Sequence, residues 1–339
     1  MTPAWLSATA ERTLSEDGRT FGHRDAELRA LTESVIVVPL VETGILAVSG
    51  SDAAGFLHNL LTNDIAGLDE LTVRRAGLCT PKGRLLADFL IWRACEAYML
   101  QLPREILPAI QKKLSLYVLR AKVTIREVSG EMAVIGVAGV GAAGAVAALD
   151  SGLPSEGQQT RTPWGCIVAI AGGRYQVIVD AAAAKEIWGQ LVAGGATPAG
   201  LDAWHLGGIS AGDPQVVAAT QDQFIPQMIN YVQIGGLSFK KGCYPGQEIV
   251  ARTQYLGKIK RHMYRATVAA ADAAPGQPIY APETGEQACG NVVCSAPSPT
   301  GTTELLAVIQ TSCAEAGDLH LGNSDGPALV LGQLPYDVS

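Results

Sequence analysis

Lys241-Gly242-Cys243-Tyr244-Pro245-Gly246-Gln247-Glu248, closing on Arg252, is the stretch on which the reading of this 339-residue chain turns. Ahead of it, Gly235-Gly236-Leu237-Ser238-Phe239 reads as a short strand. Behind it, Gln247 to Leu256 has helical spacing, with Ile249, Val250 and Leu256 as its apolar residues. The pattern predicts that Cys243 sits in a strand-to-helix turn. There the partial positive charge of the helix N-terminus, reinforced by Lys240 and Lys241, would pull a thiol below its free pKa of about 8.5. Gly242 and Gly246 permit backbone angles that other residues resist. Taken singly, each feature has a plain structural account: a small buried cysteine, two solvated lysines, and an i,i+4 surface pair of Glu248 with Arg252.

As an ordered string, Lys-Gly-Cys-Tyr-x-Gly-Gln-Glu-x-x-x-Arg resembles at every fixed position the signature of the YgfZ branch of the aminomethyltransferase (glycine-cleavage T-protein, GcvT) superfamily. The resemblance continues upstream in Phe224-Ile225-Pro226-Gln227, Asn230 and Gly236-Leu237-Ser238-Phe239. It continues in Gly50-Ser51-Asp52-Ala53-Ala54-Gly55-Phe56-Leu57 and Leu61-Thr62-Asn63-Asp64, which are similar to the family's first helix and its exit. Pro81-Lys82-Gly83-Arg84-Leu85-Leu86-Ala87-Asp88-Phe89 resembles its central hairpin, and Leu114 to Val123, with Tyr117, Arg120 and Lys122, a later helix-to-strand junction. The match runs from about residue 35 to Leu334-Pro335-Tyr336.

The resemblance implies an α+β fold: a GcvT-like folate-binding region of ferredoxin-like α+β units, followed by a small C-terminal antiparallel β-barrel. The expected division is a polar N-terminal arm (1–34), the folate-binding region (35–256) and the barrel (257–339). Local patterning agrees. Val35 to Leu40 and Gly44 to Val48 read as strands, Ser51 as an N-cap, and Ala53, Phe56, Leu57, Leu60 and Leu61 as one helical face. Gly77 to Thr80 and Leu85 to Trp92 read as strands joined through Pro81-Lys82-Gly83. A strand–helix pair at Tyr98 to Leu102 and Glu105 to Leu119 recurs at Tyr175 to Val179 and Ala182 to Val192, which suggests a duplicated unit that could divide the region into two subdomains. After Gly257, short strands at Arg265 to Val268, Gly290 to Cys294, Leu305 to Gln310 and Ala328 to Leu331 alternate with turn-rich loops and no convincing helix.

Two segments invite other readings. Met132 to Leu149 runs eighteen residues without a charge, near the lower limit for a membrane span, yet it is alanine, valine and glycine rather than leucine, so a strand and a short helix are expected. Within it, Gly139-Val140-Gly141-Ala142-Ala143-Gly144 is a formal dinucleotide pattern, but the helix is cut short by Gly152 and Pro154. The next strand, Cys166 to Ala171, ends in Gly172-Gly173-Arg174, where an arginine could suit a 2′-phosphate. Cys289 and Cys294, five apart, do not have zinc-site spacing.

Composition bounds the function. The chain has 48% hydrophobic and 17% charged residues and a net charge of −7, with pI near 5.3. This argues against a large nucleic-acid footprint, so direct DNA binding is not expected, although Lys258, Lys260, Arg261 and His262 form a local basic cluster. The N-terminus lacks a signal-peptide pattern, so the seven cysteines are read as reduced thiols in the cytoplasm, away from membranes.

Alternation along Leu85 to Trp92 places Asp88 on one face with Leu86, Leu90 and Trp92, a carboxylate in an apolar surround that needs a partner: Arg84, Arg93 or a ligand. In aminomethyltransferases an acidic residue after the hairpin glycines contacts the folate, and Asp88 best matches it. A pterin ring wants an apolar slot with a carboxylate, and the glutamate tail wants cations such as Lys82, Arg84, Arg120 or Lys122. Tyr117, Asn230, Lys241, Tyr244, Gln247, Glu248 and Arg252 complete the expected folate-binding set, with Cys243 and Asp88 as the catalytic candidates and no metal ligands. Around Gly207-Gly208-Ile209-Ser210-Ala211-Gly212 the chain departs from aminomethyltransferases, which carry an arginine and a folate-holding glutamate there. That departure weakens the case for one-carbon transfer.

Three functions stay open. The resemblance implies a tetrahydrofolate-binding accessory protein that supports assembly or repair of iron–sulfur clusters in other enzymes, including tRNA-modifying ones, with Cys243 as the functional thiol. Its partners would be folate and iron–sulfur client enzymes or assembly proteins. One cysteine cannot hold a cluster alone, so transient handling or redox chemistry is expected. The second is a folate-dependent aminomethyltransferase relying on Asp88. The third is a cysteine hydrolase or transferase pairing Cys243 with His205 or His262.

Overall fold

The computed structural model describes residues 4–7, 13–149, 152–255, 257, 259–271 and 273–338. Leu256 and Lys258, which entered the helix and basic-cluster expectations, lie outside the described residues, as do parts of the N-terminal arm. Three sheets build a mixed α/β molecule.

The first sheet has the order Thr197–Pro198, Val35–Pro39, Met132–Gly139, Arg174–Asp180, Gly165–Ile170, Gln159–Thr162. Its inner strands are nearly unbroken apolar runs because both faces are covered. Alternate residues supply two cores. Val37, Ile135, Val137 and Val177 meet Trp188 of helix Ala184–Ala193 and Phe21 on one face. Ile36, Val38, Val134 and Ile178 meet Trp204 of helix Leu201–Ser210 on the other. The uncharged segment resolves into strand Met132–Gly139 and the six-residue helix Ala142–Ala147. Among the described residues no helix is long and apolar enough to cross a membrane.

The second sheet runs Arg74–Cys79, Leu85–Ala94, Ala97–Pro103, Thr43–Ser49, Thr124–Glu127. Ala87, Phe89 and Ile91 point toward helices Ala53–Leu60 and Leu107–Val118, while Leu85 and Trp92 point the opposite way. The helix begins one residue later than expected. Its N-cap is Asp52, not Ser51, and the Asp52 carboxylate accepts the Lys122 backbone N–H at 2.7 Å. The two sheets share an internal order. In each, the strand after the second hairpin (Ala97–Pro103; Arg174–Asp180) lies between the unit's opening strand and the strand just before it in sequence, then feeds a helix and a closing edge strand. The repeat legible at Tyr98 and Tyr175 corresponds to these two strands.

The third sheet, His320–Leu321, Pro278–Tyr280, Gly290–Pro297, Thr303–Gln310, Arg261–Val268, Leu329–Gly332, is antiparallel and curls into a half-barrel, with an isolated bridge between His320 and Ala328 joining its two edges. Against expectation it carries a helix, Thr311–Ala316. That piece is a turn and a half of small residues, too short to leave a periodic signal. Residues 24–33 of the expected polar arm form a helix whose Leu28 is buried in the same core as Trp204. This core is common to the whole molecule, because Met263, Val293, Leu306 and Val308 of the third sheet enter it too.

Candidate functional site

A cavity of about 910 Å³ opens where the inner faces of the three sheets converge. Leu40, Leu90, Leu102, Ile170 and Trp204 are among its apolar walls; Asp88, Arg75, Arg174 and Asp213 form one charged group in it, and Arg19, Glu42, Arg104 and Glu105 line it elsewhere. Strand Leu85–Ala94 delivers Asp88 to the cavity because the period-two alternation sends Ala87 and Phe89 to the helices behind. The partner of Asp88 is neither Arg84 nor Arg93. Arg75, on the neighbouring strand, donates to Oδ2 at 3.0 Å, and the Val216 N–H donates to Oδ1 at 2.6 Å. Burial pushes Asp88 up to about 6 against the pull of Arg75. Arg75 also pairs with Asp213, and Arg174 reaches Asp213 at 2.6 Å. Burial works against ionisation of Asp213 too, but the two guanidiniums outweigh it and hold its carboxyl below the usual range.

Arg174 is thus a wall residue. Its guanidinium lies over the Trp204 ring, 5.0 Å from the centroid. A methyl carbon on Gly207 or Gly208 would come within 3.3 or 3.4 Å of the Arg174 side chain. The glycines at these positions make room for the arginine. An arginine already committed to Asp213 and Trp204 is poorly placed for a 2′-phosphate. A second cavity, about 880 Å³, shares Arg75, Leu90, Ile170, Arg174 and Asp213 with the first, and Gly139, Gly157, Gly172 and Gly235 are among the residues of its wall.

Cys243 is exposed and lies outside both cavities. Residues 235–239 form turns and loop rather than a strand, so Cys243 sits in a loop-to-helix passage, followed by helix Gln247–Tyr255. Glycines at 235 and 236 explain the difference: Gly235 takes φ +70°, and Gly236 lies against the Tyr231 ring, where a β-carbon would not fit. Lys241 anchors the loop, donating to the carbonyls of His58 and of Leu61 (2.7 Å) and lying 4.8 Å from the Tyr244 ring centroid. Burial pulls Lys241 down to about 8, with Asp64 and Cys243 acting in the opposite sense. A group no sequence pattern marked, His58, points Nε2 to within 3.8 Å of where a β-carbon on Gly242 would be, and pairs through Nδ1 with Asp64 at 3.0 Å.

A model of the GCVT N-terminal domain family matches residues 2–165. A tRNA-modifying protein YgfZ from Vibrio vulnificus (strain CMCP6) is 31% identical over 247 residues, covering 73% of this chain and 74% of the relative. The chain belongs to the YgfZ family. A YgfZ protein of Escherichia coli (strain UMN026) is 28% identical over 318 residues, or 89% of this chain and 93% of its own. Glycine cleavage system aminomethyltransferase T from Bartonella henselae superposes with a TM-score of 0.72 over 94% of this chain and 90% of its own at 16% identity, a likeness of fold.

The YgfZ signature and the cavity are separate features of this member. Lys82 and Arg84 are exposed in the hairpin turn, and Arg84 donates to the carbonyls of Asp222 and Gln223. That hairpin supports the signature: a β-carbon on Gly83 would lie 3.2 Å from the Gly246 carbonyl and from Ile249. Gln247, Glu248 and Arg252 lie on the signature helix, Tyr244 is buried beneath Lys241, and no ion pair joins Glu248 to Arg252 among the described residues. Tyr117, Arg120 and Lys122 are exposed at the far end of helix Leu107–Val118, away from both cavities. Asn230, fully buried in a left-handed conformation, donates to the Met263 carbonyl at 2.9 Å, tying the loop to the third sheet. Only Asp88 of the expected set lines the cavity. His205 lines it as well, paired with Glu42, whereas Cys243 does not, so His205 and the thiol of the hydrolase reading are not brought together. Sequence reasoning missed Arg75, Asp213, Gln101, Gln176 and Cys294, all cavity residues. Cys294 follows a β-bulge, and burial pushes its thiol up to about 12. Among the described residues no three His, Cys, Asp or Glu side chains gather as a metal site.

Proposed function

We propose that this YgfZ-family protein binds tetrahydrofolate in the central cavity and supports assembly or repair of iron–sulfur clusters in client enzymes of the cytoplasm, tRNA-modifying ones among them, through the thiol of Cys243. The observation that carries the folate half is a cavity of about 910 Å³ with a buried carboxylate, Asp88, among apolar walls. That volume suits a drug-sized ligand, and its residues suit the group: Leu40, Leu102, Ile170 and Trp204 for a flat ring, Asp88 for ring N–H donors. Bound tetrahydrofolate would supply a carrier of one-carbon units and an oxidisable ring. The thiol half is supported by the exposure of Cys243, which lets a large partner reach it, and by the naming of relatives as tRNA-modifying proteins. The cluster is cargo in this reading, since a lone thiolate cannot hold it.

The aminomethyltransferase reading has less support. Where that chemistry uses an arginine and a glutamate, this chain has Gly208 and Ser210, and a β-carbon on Gly208 would lie 3.4 Å from Arg174, so the cation in the wall comes from another strand. In a deletion strain, the Cys243→Ser variant should fail to restore activity of an iron–sulfur tRNA-modifying enzyme while retaining wild-type affinity for tetrahydrofolate by calorimetry. Full restoration would refute the thiol's role.

A further inference from the structure

Two glutamines single out the part of the cavity that reads its ligand. Gln101 and Gln176 project into it from the two equivalent strands, Ala97–Pro103 and Arg174–Asp180, one from each repeated unit. Gln176 is 4% exposed, and the Oε1 atoms of both are buried without a hydrogen-bond partner. Buried polar atoms in folded proteins are almost always satisfied, so such an orphan calls for a specific reason. Gln159, Gln227 and Gln254 also carry an orphan Oε1, but none of the three lines a cavity, and the Nε2 ends of the first two are engaged, by Glu70 and Arg93 carbonyls and by the Val250 carbonyl. Gln101 and Gln176 have no hydrogen bond from either end of the amide among the described residues, and both side chains belong to the cavity wall, their acceptors just behind its surface. Asp88, by contrast, already accepts one donor on each oxygen.

Resting on the folate reading above, we infer that Gln176 and Gln101 are specificity-determining residues that accept hydrogen bonds from a ring edge rich in N–H donors. The ligand they select is a 2-amino-4-oxopyrimidine-type heterocycle, whose lactam N–H and exocyclic amine point the same way. A primary carboxamide meets such an edge well because it offers an acceptor and donors side by side. A site built to bond such groups rejects an analogue that lacks them, because its own buried atoms are then left unpaired.

The test is calorimetric titration of the intact protein with 5-formyltetrahydrofolate and with its 2-desamino-2-methyl analogue, using wild type, Gln176→Leu and Gln101→Leu. Each variant should bind 5-formyltetrahydrofolate about tenfold more weakly, and the wild type's preference over the analogue should collapse in Gln176→Leu. The Tm of Gln176→Leu should equal or exceed that of wild type, since leucine removes an unsatisfied buried group. A packing role alone would lower Tm and leave the preference unchanged. Wild-type affinity and preference in both variants would overturn the inference while leaving the folate reading intact. No binding of either compound by wild type would overturn the folate reading and the inference with it.

Discussion

At the scale of single residues, Asp88 governs how the cavity should respond to pH. Burial raises its pKa to about 6, so the folded state keeps the proton that an exposed carboxyl would release near 4. Ring N–H donors bind the carboxylate, and ligand affinity should therefore rise about tenfold from pH 5 to pH 7 as the group ionises through about 6. Calorimetry at the two pH values checks this, and Asp88→Asn should flatten the dependence. The same shift has an opposite sign for stability. Because the native state binds the proton more tightly, this group's contribution to folding is lost as pH rises from the unfolded value to about 6. Asp88 was legible because alternation along one strand is a local property. Arg75, Asp213 and Gln176 were not: each reads as an ordinary polar position on its own strand or loop, and only the convergence of sheets gives it a role.

Elements differ in how much of their form is local. Strands Met132–Gly139 and Leu85–Ala94 and helix Gln247–Tyr255 follow directly from hydrophobic period. The failure at residues 235–239 has a steric origin, since Gly235 and Gly236 are required by a left-handed turn and by the Tyr231 ring. The signature turn depends on such a contact as well. Gly246 has φ +82°, and a β-carbon there would lie 2.4 Å from the Thr80 carbonyl of the hairpin below. Gly246→Ala should cost about 1–3 kcal/mol of stability in urea unfolding, by forcing hairpin and helix apart, even though it alters no side chain of the cavity. The duplicated unit was visible as a strand–helix pair with a fixed offset. The inserted strand Val35–Pro39, which separates the first sheet's opening and closing strands, left no such trace because insertion changes pairing and not periodicity.

For the whole molecule, the decisive fact is a core to which all three sheets contribute. Separate lobes with their own interiors would melt independently, whereas a shared interior makes unfolding of one expose apolar surface of the others. Scanning calorimetry should show a single transition, raised in temperature by saturating tetrahydrofolate according to its affinity. Two resolved transitions would contradict a common core. How far the third sheet curls was beyond reach of the sequence, since strand count and turn chemistry are alike for open and closed sheets. Of seven thiols in the chain those of Cys95 and Cys243 are exposed, and Cys294 is half-buried in the cavity wall. Replacing Cys95 and Cys294 with serine therefore leaves one accessible site at which a maleimide fluorophore can be attached in the native state. Its emission would report, in real time, whether occupancy of the distant chamber is felt at the signature loop.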